Sequence, residues 1–377
     1  MPFLLSVIIP TKDRYIYLRE CVETLSRLNQ EKVEIVISDN TSDNSEFEIF
    51  LKTHFSERQN IKYFHTVEPL SQTGNSDLAL SFATGEYCCF IGDDDSITDF
   101  AIEMAELLKS RHLPACVFNM ATYHWPDVVY EGKPQPSLTF DKRPMKIREL
   151  YGDIVLRKVL SEGIQEIDLI PRVYHGIISK EILDKVKEKT GSFFPGPSPD
   201  MANGIASLLL IDKYIYCSFP IVLSGFSYKS AGGMGLRGAH KGKLTGVKQL
   251  SPEVEKEWSE GIPKLWLGYT IWLEAGIKAI KRMGRHDLLC KVNYHAMYAK
   301  SYLRYPEYRE IFLHQNETIA SYLKFYFECI RFMGKWILKS FKYRLRVKLG
   351  KQYVSYNRRI SLSDALNIVN DHILENK

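Results

Sequence analysis

The sequence predicts an α/β fold in which a mixed, mainly parallel sheet is flanked by helices and followed by a helical C-terminal region. Apolar runs typical of buried strands alternate with amphipathic helical patterns, at about 25–30 residues per unit, through residues 1–120. Polar and acidic residues follow the strand-like runs, and beyond about residue 245 the strand pattern fades. We therefore expect an α/β domain over 1–245, with halves at 1–120 and 121–245, and a helical region over 246–377.

Each element is predicted from its own apolar spacing. The strand-like runs, apolar enough to be buried on both faces, are Leu4–Ile9, Val33–Ser38, Ile61–Phe64, Tyr87–Ile91 and Ala115–Ala121. Helical spacing occurs over Leu18–Leu28, Ser45–Phe55, Ser76–Ala83, Phe100–Lys109 and Met201–Leu210, and a strand followed by a helix is predicted over His175–Val186. Residues 125–165, which contain several prolines, are expected to be irregular.

Composition excludes several classes of protein. Of 377 residues, 50 are Lys or Arg and 45 are Asp or Glu, and 45% are hydrophobic, which excludes a disordered or collagen-like chain. The net charge of +5 is too small to indicate a nucleic-acid partner. Seven cysteines without CxxC spacing predict reduced thiols rather than a zinc site or disulfides. No signal peptide or spanning segment is evident, so we expect a cytoplasmic protein.

Acidic residues are concentrated after the fourth strand-like run. Asp93, Asp94 and Asp95 follow it directly, and polar residues also follow the first and second runs, at 11–14 and 39–43. Because ligands bind at the carboxyl ends of strands in open α/β sheets, these three clusters predict one cleft. Asp93 and Asp95 point the same way in an extended turn and suit Mg²⁺ or Mn²⁺ that bridges to a diphosphate. The alternative is an acidic cap of the following helix.

Three segments in series carry a resemblance to a known family. SVIIPTKDR (6–14), EIVISDNTSDNS (34–45) and GEYCCFIGDDD (85–95) together resemble family 2 glycosyltransferases of the GT-A, Rossmann-like fold. The resemblance implies inverting transfer from a UDP- or GDP-linked sugar to an acceptor hydroxyl, with a divalent metal ion (Mn²⁺ or Mg²⁺). It also implies that 1–120 is the nucleotide-sugar-binding half and 121–245 the acceptor-side half.

The resemblance also implies roles for individual residues. Asp93 and Asp95 match the outer positions of the DxD motif, with Asp95 the likelier direct metal ligand. The donor-binding residues it implies are Pro10, Thr11, Asp39, Asn75, Asp93 and Asp94. Relatives often keep an arginine near Asn75, and none is present here. Lys12 and Arg14 are candidate substitutes for that charge, or otherwise solvated loop residues.

The acceptor side offers a candidate base. SPDMANGIA (198–206) is similar to the acceptor-side motif of the family, in which an acidic residue at the head of a helix takes the acceptor proton, and this points to Asp200. The alternative is that Asp200 only caps the helix, and Glu166 and Asp168 are weaker candidates. Three further residues are candidate substrate contacts: His175, Lys229 and Arg237. The alternatives are a packed histidine and a plain surface loop.

One C-terminal segment is strongly basic. Residues 321–351 contain nine Lys or Arg and one Glu, so the segment carries about +8. Its helical pattern has a basic stripe opposite an apolar side rich in Phe and Tyr. This pattern predicts either a helix that lies on an anionic membrane, at the inner face of the plasma membrane, or a helix whose apolar side packs on the α/β domain.

Taken together, these features predict a glycosyltransferase of bacterial surface polysaccharide (capsule or O-antigen) biosynthesis, acting on a saccharide or lipid-linked saccharide acceptor. Two other functions stay open. A nucleotidyltransferase that makes nucleotide sugars usually has a glycine-rich loop after its first strand, whereas this chain has Thr11–Arg14 there. A non-catalytic sugar- or lipid-binding module on the same fold is the second alternative.

Overall fold

The structure is a computed structural model that describes residues 2–130, 133–134, 137–142, 144–230, 233–234, 241–247, 250, 252–348 and 353–377. The strands are β1 (Leu5–Thr11), β2 (Val33–Asp39), β3 (Ile61–His65), β4 (Tyr87–Phe90), β5 (Ser96–Ile97), β6 (Ala115–His124), β7 (Val129–Tyr130), β8 (Lys133–Pro134), β9 (Leu138–Asp141), β10 (Ile147–Tyr151), β11 (Gly176–Ser179), β12 (Lys213–Phe226), β13 (Gly242–Lys243), β14 (Leu265–Trp266) and β15 (Tyr353–Tyr356).

The helices follow the same chain order. They are α1 (Tyr15–Leu25), α2 (Ser45–Phe55), α3 (Gln72–Ser81), α4 (Phe100–Ser110), α5 (Gly152–Ser161), α6 (Lys180–Thr190), α7 (Pro199–Leu208), α8 (Pro252–Lys256), α9 (Gly268–Arg282), α10 (Tyr294–Arg304), α11 (Arg309–Leu313), α12 (Ile319–Lys348) and α13 (Leu362–Asn376). Short 3-10 helices cover His286–Lys291 and Pro306–Tyr308.

The central sheet has the order β10-β12-β6-β11-β4-β1-β2-β3. Strand β1 pairs in parallel with β2 and β4, and β12 pairs in parallel with β6, whereas β11 runs antiparallel between β4 and β6. Side chains alternate between two apolar layers: Ile8 packs into one, and Val7 and Ile9 pack into the other. The predicted mixed, mainly parallel sheet flanked by helices is therefore confirmed.

The segment expected to be irregular, 125–165, is more regular than predicted. It contains β9, β10 and α5, because β9 adds to β6 and β10 adds to the edge strand β12. The prolines fall outside these three elements. The C-terminal region also returns to the sheet: β15 pairs with β9, and α13 packs against α1 with Leu366 and Val369 buried. The domain boundary at 245 stays a prediction.

Helix α12 turns its apolar side outward. Nine large apolar side chains are between 45% and 70% exposed; we call them the apolar stripe (Leu323, Tyr326, Phe327, Ile330, Met333, Trp336, Ile337, Phe341 and Leu345). The body instead contacts the opposite side, where Phe325 and Cys329 are buried and the Arg331 and Lys335 side chains lie 2.6 and 2.5 Å from Oε1 of Glu162. The prediction that the apolar side packs on the domain is wrong, because buried Glu162 binds the basic side.

Other sequence predictions concern membranes and thiols. In the described ranges, none of the helices combines the length and the apolar character that crossing a membrane requires. All seven cysteines are unpaired thiols, and only Cys290 is exposed. The buried thiols Cys88, Cys89 and Cys116 lie in central strands, where burial raises their pKa and keeps them protonated.

Candidate active site

The carboxyl ends of three strands meet at one edge of the sheet, and two of them carry predicted polar clusters, 11–14 and 93–95. The third predicted cluster, 39–43, adjoins the first, because the Asn40 N–H donates to the Thr11 carbonyl at 3.0 Å. Thr11 ends β1, Asp93–Asp95 follow β4, and Gly225–Ser227 lie at the end of β12. Because β11 is antiparallel to its neighbours, His175, which precedes it, lies at the same edge. The three aspartates are buried, with exposed fractions of 3%, 4% and 1%. This edge of the sheet, which we call the cleft, therefore concentrates negative charge in a place that water reaches poorly.

Arg14 is the cation that the first two aspartates bind. Its Nε lies 3.0 Å from Oδ1 of Asp93, and its Nη2 lies 2.9 Å from Oδ2 of Asp94. The hydroxyl of Thr11 donates to Asp93 at 2.6 Å, and the hydroxyl of Ser227 donates to Asp94 at 2.6 Å. Arg14 therefore neutralises part of the charge that the resemblance had assigned to donor and metal binding.

Asp95 is held by a separate set of donors. Its Oδ2 lies 2.6 Å from Nε2 of His175 and accepts the backbone N–H of Gly92 at 2.6 Å, while its Oδ1 accepts the N–H of Gly225 at 2.6 Å. His175 has a φ of 54°, which is uncommon for a residue other than glycine. The Tyr174 ring stacks on the imidazole, with the ring centres 4.1 Å apart. The sequence predicted His175 as a substrate contact, and the structure adds its contact with Asp95.

Burial and mutual repulsion shape the ionisation of this cluster. Burial raises the pKa of Asp93, an effect that Arg14 opposes and Asp94 reinforces. Burial also raises the pKa of Asp94, with the charge of Asp95 as the second cause. Burial lowers the pKa of Arg14, but attraction to the two carboxylates outweighs it and raises that pKa overall. The cluster is thus short of positive charge even with Arg14 in place.

Two predicted donor-binding residues are already engaged within the protein. Asp39 is fully buried, and its Oδ2 accepts the hydroxyls of Tyr15 at 2.6 Å and Tyr63 at 2.7 Å. The Asn75 amide group donates to the carbonyl of Thr11 at 3.2 Å and accepts the hydroxyl of Ser38 at 3.0 Å. Asn75 therefore ties the ends of β1 and β2 together. Nucleotide contact by either residue stays a prediction.

The remaining predicted contacts lie around the rim of the cleft. Pro10 is half-buried in β1, beside Thr11. Lys12 is exposed and donates to Oδ1 of Asn40 at 3.3 Å. Lys229 is exposed and reaches the carbonyl of Asp13 at 3.4 Å, which links the segment after β12 to the segment after β1. Arg237 lies outside the described residues.

Asp200 occupies the second position of α7, one residue after Pro199. Its Oδ1 accepts the backbone N–H of Met201 at 2.8 Å and the hydroxyl of Ser198. Tyr174 connects it to the acidic cluster: burial raises the pKa of the Tyr174 hydroxyl, and the charges of Asp95, Asp94 and Asp200 raise it further. Tyr174 is partly buried, and its ring packs on Phe90 and His175 beside the acidic cluster.

A divalent ion on Asp93 and Asp95 would need free carboxylate oxygens. Oδ2 of Asp93 and both side-chain oxygens of Asp95 already accept hydrogen bonds, and Oδ1 of Asp93 is occupied by the ion pair with Arg14. Among the described residues, Oδ1 of Asp94 has neither kind of partner. In the described part of the chain, no group of three or more His, Cys, Asp or Glu side chains is arranged to hold a metal ion. Carboxylates suit Mg²⁺ and Mn²⁺ chemically, so this donor set fits an ion that displaces Arg14.

Sequence reasoning missed Gly225, Ser227 and Trp125. The Trp125 indole N–H donates to the backbone carbonyl of Asp94 at 2.9 Å, and Gly225 and Ser227 donate to the cluster from the end of β12. One signal was available: SGFS at 224–227 is a fourth polar strand end. The strand itself was not predicted, because its apolar run is interrupted at Ser218 and Pro220.

Gly225→Ala is expected to distort the acidic cluster. A Cβ atom at this position would lie 1.8 Å from the Asp94 carbonyl oxygen, and backbone must move to relieve that contact. We expect a loss of about 1–3 kcal/mol in the free energy of unfolding, as for overpacked cores, and weaker nucleotide binding. Chemical denaturation measures the free energy of unfolding, and calorimetry measures nucleotide binding.

Gly191→Ala is the control. Open space surrounds Gly191, so a Cβ there meets no atom, and only the positive φ of the backbone makes the substitution costly. Equal stability losses in the two variants would contradict the prediction.

Comparison with known proteins bears on the N-terminal part of the chain. Residues 6–154 match the family model described as glycosyl transferase family 2, a range that contains β1–β4 and the whole acidic cluster. This part of the chain is therefore similar to glycosyl transferase family 2. A curated protein of similar sequence is the GalNAc(5)-diNAcBac-PP-undecaprenol beta-1,3-glucosyltransferase of Campylobacter jejuni, 31% identical over 100 residues. That similarity covers 26% of this chain and 32%, about a third, of the Campylobacter protein.

Solved structures give weaker similarity. S. aureus TarS 1-349 in complex with UDP-GlcNAc is 14% identical, with a TM-score of 0.45 over 86% of this chain and 89% of that one. The mannosyltransferase PcManGT of Pyrobaculum calidifontis in complex with GDP-Man and Mn²⁺ is 14% identical, with a TM-score of 0.41 over 88% and 89%. Similarity at this level does not assign a function. The similarity to family 2 rests on residues 6–154.

Proposed function

We propose that the protein is an inverting glycosyltransferase that moves a sugar from a UDP- or GDP-linked donor to an acceptor hydroxyl. The observation that carries this proposal is the buried acidic cluster with its bound Arg14 at the carboxyl end of β4, which lies within the residues that match the family 2 model. We take the acidic cluster, which lies within the range that matches the family 2 model, as the donor site, and we take Asp200, in the first turn of α7, as the base on the acceptor side. Because the Campylobacter relative is named for an undecaprenol-linked substrate, we extend the proposal to lipid-linked saccharides of the bacterial surface.

In the proposed reaction, the acceptor oxygen attacks the anomeric carbon of the donor sugar directly. The new C–O bond forms as the bond to the diphosphate breaks, and the acceptor proton passes to a carboxylate oxygen of Asp200. The departing nucleoside diphosphate then needs positive charge. Arg14 offers a guanidinium at the cleft, and Lys12 and Lys229 add exposed charges at its rim. A divalent ion, when bound at Asp93 and Asp95, would supply Lewis-acid stabilisation of the same leaving group.

The nucleoside would lie toward β2, where Asp39, Tyr15 and Tyr63 form a hydrogen-bonded group. Burial and the hydrogen bond to Asp39 raise the pKa of both tyrosine hydroxyls, so they remain donors at neutral pH. We propose that a hydroxyl of the ribose or an N–H of the base replaces one tyrosine at Asp39. That exchange keeps the buried carboxylate hydrogen-bonded, which its burial requires.

The proposed function is tested with a panel of nucleotide sugars. The full chain is incubated with UDP- and GDP-linked hexoses, with and without Mn²⁺, and nucleotide release is measured in the presence of simple acceptors. Metal-dependent release from one donor, with a new glycoside of inverted configuration, supports the proposal. Release of pyrophosphate from a nucleoside triphosphate and a sugar phosphate would instead indicate a nucleotidyltransferase. Nucleotide-sugar binding without any turnover would favour the non-catalytic module.

We further propose that the apolar stripe of α12 lies on the anionic inner face of the plasma membrane. Contiguous exposed apolar surface usually marks an interaction site, and here it lies on a strongly basic helix, whose residues 319–348 include eight Lys or Arg and one Glu. Lys324, Lys339 and Lys342 are exposed alongside the stripe. A lipid-linked acceptor is held at such a surface, so this placement brings the enzyme to its substrate.

Three serine substitutions in the stripe, Ile330→Ser, Ile337→Ser and Phe341→Ser, are expected to abolish binding to phosphatidylglycerol vesicles. These side chains are 59–66% exposed, so their removal should leave the fold intact. Lys339→Gln with Lys342→Gln should weaken binding about fivefold per lysine, from about 1 kcal/mol each near an anionic surface. Co-sedimentation of the full chain measures both, with phosphatidylcholine vesicles as reference. Undiminished sedimentation of the serine variant would refute membrane contact, and a dimer lost in that variant would indicate a second copy instead.

A further inference from the structure

A cavity of about 430 Å³ lies beside the acceptor side of the sheet, between α5, β6, β12 and the segment 166–172. Its volume is in the range of small-molecule sites, about 300–1,000 Å³. Apolar side chains form much of its wall: Phe118, Val155, Val159, Leu169 and Ile170. Charged side chains form much of the rest of the wall, and a wall that combines apolar and charged groups suits part of an organic molecule that carries a charge.

Arg172 is the buried charge of this cavity. The residue is only 5% exposed, and its Nη1 donates to the backbone carbonyls of Ile167 at 2.7 Å and Ile170 at 3.4 Å. Among the described residues, no carboxylate forms an ion pair with it. Burial lowers the pKa of Arg172, and the more distant charges of Asp200 and Asp168 oppose that effect. A buried guanidinium without an ion-pair partner binds an anion strongly, because little water screens the interaction.

The other charges at the cavity largely compensate one another. Lys158 pairs with Glu166 at 3.0 Å, Asp168 is exposed, and the exposed Arg148 guanidinium lies 4.8 Å from the ring centre of Tyr216. Three basic and two acidic side chains therefore line the cavity. Arg172 is the buried one among them, and the net charge of the lining residues is positive.

The cavity adjoins the proposed base. Gly204 lies four residues after Asp200 on α7, so the two positions share one face of the helix. A Cβ built on Gly204 would lie 2.8 Å from Cγ2 of Ile170 and 3.4 Å from Cβ of Arg172. The face of α7 that begins with Asp200 therefore packs on the segment that carries Arg172. An acceptor whose hydroxyl reaches Asp200 can place a neighbouring group at Arg172.

We infer that this cavity receives an anionic group of the acceptor, a phosphate or a carboxylate, and that Arg172 selects for it. The inference rests on the proposed glycosyl transfer, because it names the chemical class of the acceptor of that reaction. The planar guanidinium can bind either oxyanion through two parallel hydrogen bonds, which a lysine cannot match. A phosphate would belong to a carrier lipid, and a carboxylate would belong to an acidic sugar.

Calorimetry with three probes on the full chain tests the inference: hexyl glucoside, hexyl glucuronide and hexyl-diphosphate-linked glucose. We expect the wild type to bind at least one anionic probe about tenfold or more tightly than the neutral one, as for hydrogen bonds to a charged group. Arg172→Gln should remove this preference and Arg172→Lys should retain part of it. Arg157→Gln is the matched control. Arg157 lies on α5, which lines the cavity, but its side chain is 70% exposed and pairs with Asp153.

Each result is decisive. The anionic probe that binds tightly identifies the source as a lipid phosphate or an acidic sugar. Equal binding of the three probes, no binding of either anionic probe, or an unchanged preference in Arg172→Gln would overturn the inference. Thermal melting of Arg172→Gln shows whether a lost preference reflects unfolding, in which case Arg172→Lys decides. Failure of the glycosyltransferase proposal gives a different result, namely no nucleotide release from any donor, and leaves the probe binding measurable.

Discussion

Asp200→Asn is expected to lower the rate of sugar transfer about 10²–10⁴-fold, the usual contribution of a positioned general base. Asparagine keeps the shape of the side chain and a carbonyl oxygen that can accept the Met201 N–H, so α7 should still begin at Pro199. What is lost is the capacity to take the acceptor proton. Steady-state kinetics with saturating donor and acceptor measure the effect, and we expect it in kcat rather than in the KM of the donor.

Two matched variants make the assignment sharp. Glu166→Gln and Asp168→Asn remove the weaker candidate bases, both of which line the neighbouring cavity. We expect each to change kcat less than tenfold, because neither lies in the first turn of α7 with Asp200. Transfer by Asp200→Asn at near the wild-type rate would eliminate Asp200 as the base. A large loss of kcat in Asp168→Asn alone would assign the role of general base to Asp168.

The N-terminal strands and their polar ends were predictable because local pattern determines them. A parallel strand between two helical layers must be apolar on both faces, so runs such as Leu4–Ile9 and Val33–Ser38 stand out in the sequence. Helix α2 begins and ends at the predicted residues, Ser45 and Phe55. Since carboxyl ends of parallel strands share one edge, the meeting of Thr11 with Asp93 also followed from the pattern.

The internal chemistry of the site was not predictable, because its partners are distant in the chain. Arg14 donates to Ser227, 213 residues away, and no local pattern in SVIIPTKDR distinguishes a buried ion pair from a solvated loop charge. The orientation of α12 was not predictable for the same reason, because its partner is distant in the chain. Its amphipathic spacing is equally compatible with either side facing the body, and Glu162, 169 residues before Arg331, attracts the basic side.

Asp39 and Asn75 show a further limit of motif reasoning. A motif match predicts which residue type stands at a strand end. It does not predict which hydrogen bonds that residue already makes, because the partners come from other elements. Tyr15 and Tyr63 come from α1 and β3, and both reach one oxygen of Asp39. Donor contact by Asp39 therefore requires an exchange of partners, a requirement that only the three-dimensional arrangement reveals.

Arg14→Met is expected to destabilise the metal-free protein by about 3–5 kcal/mol, the usual cost of removing one partner from a buried ion pair. Asp93 and Asp94 would keep their burial and mutual repulsion but lose the guanidinium that bridges them. A divalent ion can replace that charge at the same carboxylates. We therefore expect Mn²⁺ to raise the melting temperature of Arg14→Met by more than it raises that of the wild type, in which Arg14 competes with the ion.

The measurement is thermal unfolding in EDTA and in Mn²⁺, together with calorimetric titration of Mn²⁺ into each protein. Arg19→Met is the matched control, because Arg19 lies on α1 at the surface and pairs with exposed Glu46. Its stability should change by less than about 1 kcal/mol in either buffer. Arg14→Lys keeps a charge but loses the bidentate fork, so it should fall between the wild type and Arg14→Met. If Mn²⁺ raised the melting temperature equally in the wild type and in Arg14→Met, the ion would bind elsewhere. That result would refute Asp93 and Asp95 as its ligands.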